Sequence, residues 1–308
     1  MSLERTFNFL SLLQVLVAVR EKVEVVIDTD VGDDIDDALA LALACKSPEV
    51  KLLAVTTVYG RVDLRARLAS AILSACGIKR VPVARGCPRP IVSEGVERDP
   101  LYYSALKPCE GVEGVVEDHA VDLLIELSKE HEGLTLVTLG PLTNVALAIL
   151  KDPGFAKRVR IISMAGCYFR PIIEYNVRCD PEAMYVLLRS GAKPLLVGLD
   201  VTLKCAMSEE HVAELRRRRT QCTELLVRLL ETWSSATSRL PVLHDPLALA
   251  LSYRRGLVDT TSARVLVELA GKATRGLTLI ADGGFEAMVC SEVRERELLE
   301  LFVERVTA

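Results

Sequence analysis

Six aspartates fall within ten residues: Asp28, Asp30, Asp33, Asp34, Asp36 and Asp37. Carboxylates packed this closely repel one another, so some must stay protonated or a cation must lie among them. A hard divalent cation, which takes oxygen ligands, is the natural partner. Capping of the helix that follows would explain one aspartate but not the cluster. An EF-hand does not fit, because the twelfth position from Asp28 is Leu39, where that loop needs a bidentate Glu. Three later segments also carry polar side chains suited to chemistry. Gly140-Pro141-Leu142-Thr143-Asn144 is the first, and Thr143 or Asn144 is expected to cap the next helix. Gly166 to Asn176 is the second; on a strand, Glu174 and Asn176 would face one side together. His244-Asp245-Pro246 is the third; it opens a helix, and imidazole is the side chain suited to acid or base work near neutral pH. Asp245-Pro246 also has the form of an N-cap with Pro at N1, as does Asp180-Pro181, where capping is the preferred reading.

These segments follow apolar, β-branched runs. Strands are expected over Val23–Asp28, Leu52–Thr57, Val81–Ala84, Leu134–Leu139, Val159–Ala165, Pro194–Leu199 and Leu277–Ala281. Helices are expected over Asp36–Lys46, Leu64–Cys76, Asp118–His131, Asn144–Leu150, Pro181–Ser190, Glu209–Thr232, Pro246–Ser252 and Glu292–Val306. Such alternation predicts an α/β fold: an open, mostly parallel, Rossmann-like sheet with helices on both faces. Ligands of such sheets bind beyond the carboxyl ends of the strands, which gathers the polar segments at one edge. A single catalytic domain over residues 23–308 is expected, with residues 209–240 as a helical excursion. Residues 1–22 form an apolar segment with a polar stripe, expected to be an extra amphipathic helix rather than a signal peptide or membrane span.

The chain has 308 residues, half of them hydrophobic and 26% charged, with a net charge of −4. That length and composition suit one large domain. A net negative charge argues against nucleic acid and anionic membrane as partners. The dense basic run Arg216 to Arg219 is expected to be a solvated helix face. Nine cysteines are scattered without a CxxC pair, which disfavours zinc ribbons and predicts reduced thiols in a cytoplasmic protein. Disulfides stay open for a hyperthermophilic source.

The stretch VVIDTDVGDDIDDALALALA resembles the signature of the nucleoside hydrolases, the inosine-uridine preferring type of N-ribohydrolase. It runs two residues longer than the commoner DTDPGxDDA form. TTVYG (56–60), LGPLTNVALA (139–148), EYNVRCDPEA (174–183) and HDPLALA (244–250) resemble further motifs of that family, in the same order. The resemblance implies a tightly bound Ca²⁺, hydrolysis of ribonucleosides to ribose and free base, and a homodimer or homotetramer. It implies that Asp30, Asp37, Asp245 and the main-chain carbonyl of Leu139 hold the metal. It further implies Asp36 as general base, Glu174 and Asn176 on the ribose hydroxyls, and His244 as acid to the departing base. Glycosidic cleavage passes through an oxocarbenium-like state, which surrounding carboxylates would stabilise.

Three departures touch substrate recognition rather than metal binding. Arg61 stands where Asn is usual, Glu110 where His is usual, and the loop from Cys167 to Ile173 is short and lacks an asparagine. Trp233 could stack on a base or pack in the core. Two rival readings compete: a Mg²⁺-dependent phosphohydrolase of the haloacid dehalogenase type, with Asp28 as nucleophile, and a non-catalytic nucleoside- or ribose-binding protein.

Overall fold

A computed structural model describes residues 22–111 and 113–308. The expected helix over residues 1–22 lies, but for Lys22, outside the described residues. Strand β1 (Val23–Thr29) leads through a turn into helix Asp36–Lys46 and back along β2 (Val50–Thr57). Helix Val62–Ala75 precedes β3 (Val83–Arg85), and a long loop reaches the two-residue β4 (Val115–Val116). Helix Ala120–Glu130, β5 (Thr135–Thr138), helix Thr143–Lys151 and β6 (Arg160–Met164) follow. Helices Tyr175–Cys179 and Pro181–Arg189 lead to β7 (Leu195–Val197) and the short helix Leu199–Thr202. After a helical stretch, helix His244–Ala250 precedes β8 (Val258–Val267), β9 (Thr278–Ile280), β10 (Phe285–Val293) and helix Glu295–Thr307.

All ten strands join one sheet, in the order β4-β3-β2-β1-β5-β6-β7-β10-β8-β9. Pairing is parallel from β4 through to β10, and antiparallel for β10–β8 and β8–β9. The chain steps outward from β1 to β4, then returns to the other side of β1 as β5. That reversal leaves a crevice at the carboxyl ends of β1 and β5, the usual place for a ligand in such sheets.

The sequence of β1 shows why the sheet is covered on both sides. Val25 and Ile27 belong to one apolar core and Val26 to the other, and all three are fully buried. Helix Asp36–Lys46 is buried from Asp36 to Ala44, as an almost uniformly apolar helix must be. Helix His244–Ala250 packs on it. Each fully buried Leu contributes about 1.5–3 kcal/mol.

Several expectations need correcting. Strands β8 and β10 were not anticipated, and they form the antiparallel end of the sheet. The helix expected over Glu209–Thr232 is two, Glu209–Arg217 and Gln221–Thr237, separated by a break at which Thr220 and Thr223 cap reciprocally. Arg216 to Arg219 are exposed, as expected. Cys76 and Cys222 form a disulfide joining the end of helix Val62–Ala75 to helix Gln221–Thr237, where reduced thiols were expected and disulfides left open. The other seven cysteines are free. Among the described residues no helix is long and apolar enough to cross a membrane.

Candidate active site

Thr29 ends β1, and Asp30 continues into a turn whose exit is the first turn of helix Asp36–Lys46. That helix has Ile35 at its N-cap and no side-chain cap, so capping accounts for none of the six aspartates. Asp36 and Asp37 instead lie in the first helical turn, where the helix dipole favours negative charge. Asp245 arrives in the first turn of helix His244–Ala250. It is not the N-cap of that helix; Leu243 is. Carboxylate oxygens of Asp36, Asp37 and Asp245 all lie within 4.8 Å of one another. Asp30 and Leu139 line the same cleft, outside that trio, together with Glu174, Asn176 and His244. The cleft encloses about 320 Å³, the lower range for small-molecule sites.

The electrostatics are severe. Burial first, then neighbouring carboxylates, holds Asp36, Asp37 and Asp245 well above the usual carboxylate range. Asp30 is pushed up to about 7 by burial, although Arg65 pulls the other way. Side chains already present satisfy parts of the cluster. Thr29 Oγ1 donates to Asp37, and the Asp245 amide donates to Asp36 Oδ2 at 3.4 Å. Gly140 leaves room for Asp30: a Cβ there would stand 2.7 Å from Asp30 Oδ1.

Arg65 was missed by the sequence reading. It is buried, on helix Val62–Ala75. Its Nε donates to Tyr59 O at 2.6 Å and its Nη1 to Asp30 O and Val31 O, while Nη2 pairs with Asp33 at 2.7 Å. The guanidinium thus clamps the backbone of the aspartate turn but spends its ion pair on Asp33. Of the trio only Asp37 feels Arg65, through space and without an ion pair. Oxygen donors alone, crowded and short of a cation, fit a hard divalent ion.

Asp28 belongs elsewhere. It is fully buried and does not line the cleft. Its Oδ1 accepts from Thr56 Oγ1 at 2.6 Å and Asn144 Nδ2 at 2.7 Å, and burial pushes its pKa up to about 7. Asn144 also takes the Cys87 amide at 2.8 Å. Neither Thr143 nor Asn144 caps a helix, since Leu142 occupies that position; Thr143 bonds Asp180 at 2.6 Å. Asp180 does cap, accepting from the Ala183 amide with Pro181 following.

Glu174 and Asn176 do not lie on a strand. Glu174 is the N-cap of helix Tyr175–Cys179 and accepts amides of Asn176 at 2.7 Å, Val177 at 3.0 Å and Gly166 at 3.1 Å. Burial raises its pKa. Asn176 Nδ2 donates to Leu139 O at 2.6 Å and Met164 O at 3.1 Å. His244 lies 2.7 Å, through Nδ1, from Thr202 Oγ1. Burial, then Arg239, pushes its pKa down to about 4.

Two of the three family departures, Arg61 and Glu110, fall outside the cleft, whereas the loop from Cys167 to Ile173 borders it through Ile173. Arg61 pairs on the surface with Asp63 and Asp99. Glu110 takes Arg228 on both oxygens at 2.7 Å, tying its loop to helix Gln221–Thr237. Trp233 is a core residue, buried against that helix's neighbours.

The profile of the inosine-uridine preferring nucleoside hydrolases matches residues 25–300. An enzyme of that name from Leishmania major is 32% identical over 275 residues, covering 83% of this chain and 87% of its own. A plant nucleoside hydrolase structure superposes with a TM-score of 0.84 at 30% identity, covering 92% of this chain and 99% of its own. A purine-preferring ribonucleoside hydrolase from Gardnerella vaginalis gives 0.84 at 28% identity, covering 92% and 98%. The fold, the cleft and these relatives together define an α/β enzyme that hydrolyses a glycosidic bond. The chain belongs to the inosine-uridine preferring nucleoside hydrolase family, whose substrates carry an N-glycosidic link between ribose and base.

Proposed function

We propose that this chain hydrolyses ribonucleosides to ribose and free base with the help of one Ca²⁺. The observation that carries the reading is the convergence of the buried carboxylates of Asp36, Asp37 and Asp245 within 4.8 Å of one another. Asp30, Asp37, Asp245 and the Leu139 carbonyl would hold the ion; a mixed set of carboxylate and carbonyl oxygens suits Ca²⁺ better than Mg²⁺. When bound, the ion acidifies and orients a water and draws in ribose hydroxyls.

The chain's own groups do the rest. Asp36, beside the proposed metal ligands, takes the proton of the attacking water. Glu174 and Asn176 orient the ribose hydroxyls. The remaining carboxylates stabilise positive charge that develops on the sugar. His244 donates to the departing base through Nε2, the ring nitrogen that Thr202 leaves open. A ring held near 4 is seldom charged at neutral pH, but is a strong acid when it does carry the proton.

The reading includes residues 23–308 as the catalytic domain, an amphipathic helix before it, and a homodimer or homotetramer. It includes a cytoplasmic location, supported by seven free thiols, with Cys76–Cys222 as the exception. It disfavours the phosphohydrolase alternative, because the nucleophile that alternative needs, Asp28, is fully buried behind Thr56 and Asn144.

Incubation with a panel of purine and pyrimidine ribonucleosides, with release of reducing sugar as readout, tests the reading. Free ribose is expected. Tight nucleoside binding without ribose release would convert it to a binding protein. Phosphate release from phosphomonoesters without ribose release would revive the phosphohydrolase.

A further inference from the structure

His244 owes its orientation to a residue outside every motif described above. Thr202 ends the short helix Leu199–Thr202 that follows β7. It is fully buried. Its own backbone is fixed at both groups: the amide donates to Gly198 O at 3.2 Å, and the carbonyl accepts from the Cys205 amide at 2.9 Å. The hydroxyl is then free to serve His244 Nδ1, 2.7 Å away.

A hydroxyl both donates and accepts, and rotates at little cost. It donates to Nδ1 when that nitrogen is bare and accepts from it when it carries hydrogen. A carboxylate in its place would hold a proton on Nδ1, and a methyl group would leave Nδ1 buried without a partner. Nδ1–H can donate to the hydroxyl oxygen in the charged ring and in the neutral Nδ1–H ring alike, so the bond keeps one ring orientation. With Nδ1 occupied, Nε2 is the ring nitrogen left for the cleft that His244 lines.

We propose that Thr202 is a positioning residue for leaving-group protonation, its hydrogen bond to Nδ1 fixing the ring so that Nε2 is the nitrogen left for the departing base. This rests on the reading of His244 as the acid. The C–N bond breaks with its electrons going to the base nitrogen, and the Nε2 proton moves to the base. The ring is left neutral with hydrogen on Nδ1, which donates to Thr202 Oγ1. Solvent then returns a proton to Nε2.

The test compares Thr202→Val and Thr202→Ser with His244→Ala on inosine, uridine and p-nitrophenyl riboside, whose phenolate departs without protonation. Thr202→Val should cut kcat on inosine or uridine by about 10-fold or more, with KM little changed. It should leave p-nitrophenyl riboside near wild type, and Thr202→Ser should keep most activity on all three. Equal losses on all three substrates, or a Thr202→Ser enzyme as impaired as Thr202→Val, would overturn the proposal. So would full activity of Thr202→Val beside a selective loss in His244→Ala. If His244→Ala itself shows no dependence on the leaving group, the acid assignment has failed, and the positioning proposal falls with it. Should Thr202→Val not fold, Thr202→Ala is judged by the same ratio of inosine to p-nitrophenyl riboside turnover.

Discussion

Asn176 grips the main-chain carbonyl of Leu139, with Nδ2 2.6 Å from the oxygen. One residue assigned to ribose therefore orients one atom assigned to metal, and the two functions cannot be varied apart. Asn176→Ala should weaken Ca²⁺ binding by about tenfold or more, as loss of groups that orient ligands does. It should raise KM for nucleoside as well. A calcium titration that matches wild type beside a raised KM would separate the two roles and contradict the coupling.

Asp36 is one of the three converging carboxylates and is also assigned as base. Asp36→Asn keeps an oxygen in place but removes the proton acceptor. Turnover should fall by roughly 10² to 10⁴ while metal content stays stoichiometric. Loss of metal together with activity, seen by elemental analysis, would make Asp36 a ligand first and transfer the base role to Asp33 or Asp34.

His244→Ala should lower turnover of inosine or uridine by about 10² and barely affect p-nitrophenyl riboside. Steady-state kinetics on the pair decide it. Equal losses on both would place His244 in site geometry rather than proton transfer.

Removing metal should make stability depend on pH in a definite direction. Asp28 and Asp30 are pushed up to about 7, and Asp36, Asp37 and Asp245 are raised well above the usual range, all by burial first. A folded-state pKa above the unfolded value means the native protein binds more protons between the two, so stability falls as pH rises through the folded value. His244 acts in the opposite sense, since its pKa is lowered to about 4, but its contribution is complete above its ordinary value of 6.5. From there to about pH 8 the carboxylates act alone. Tm in chelator should therefore drop over that interval, and added Ca²⁺ should raise and flatten it. The gain is about 3–4 kcal/mol when calcium exceeds its dissociation constant by two to three orders of magnitude. Asp37→Ala should abolish activity and that calcium response together. A chelated wild type with constant Tm would show that the cluster carries no charge strain.

Most of the parallel core was legible because its strands are short, apolar runs followed by helical periodicity. The antiparallel end was not. Strand β8 reads VDTTSARVLV, with four consecutive exposed residues after its first, so it lacks both the apolar run and clean alternation. The break between helices at 218–220 carries neither Gly nor Pro; its one signal was Thr220 with Thr223 three positions on. Glu174 and Asn176 were found by motif but given the wrong local structure. A carboxylate accepting amides two and three positions ahead is an N-cap, which the pair's i, i+2 spacing also allows. Arg65 escaped notice because a charged residue on a surface helix ordinarily faces water. The disulfide partners lie 146 positions apart, and no local pattern pairs them.

Asp245 meets Asp36 across 209 positions of chain. A ribosome must therefore reach residue 245 of 308 before the last carboxylate of the trio exists. Until then the aspartate turn has Arg65 as its buried counter-charge and no complete set of oxygens for an ion. Stability drawn from a bound cation would come only once residue 245 has been made and has folded back onto the aspartate turn.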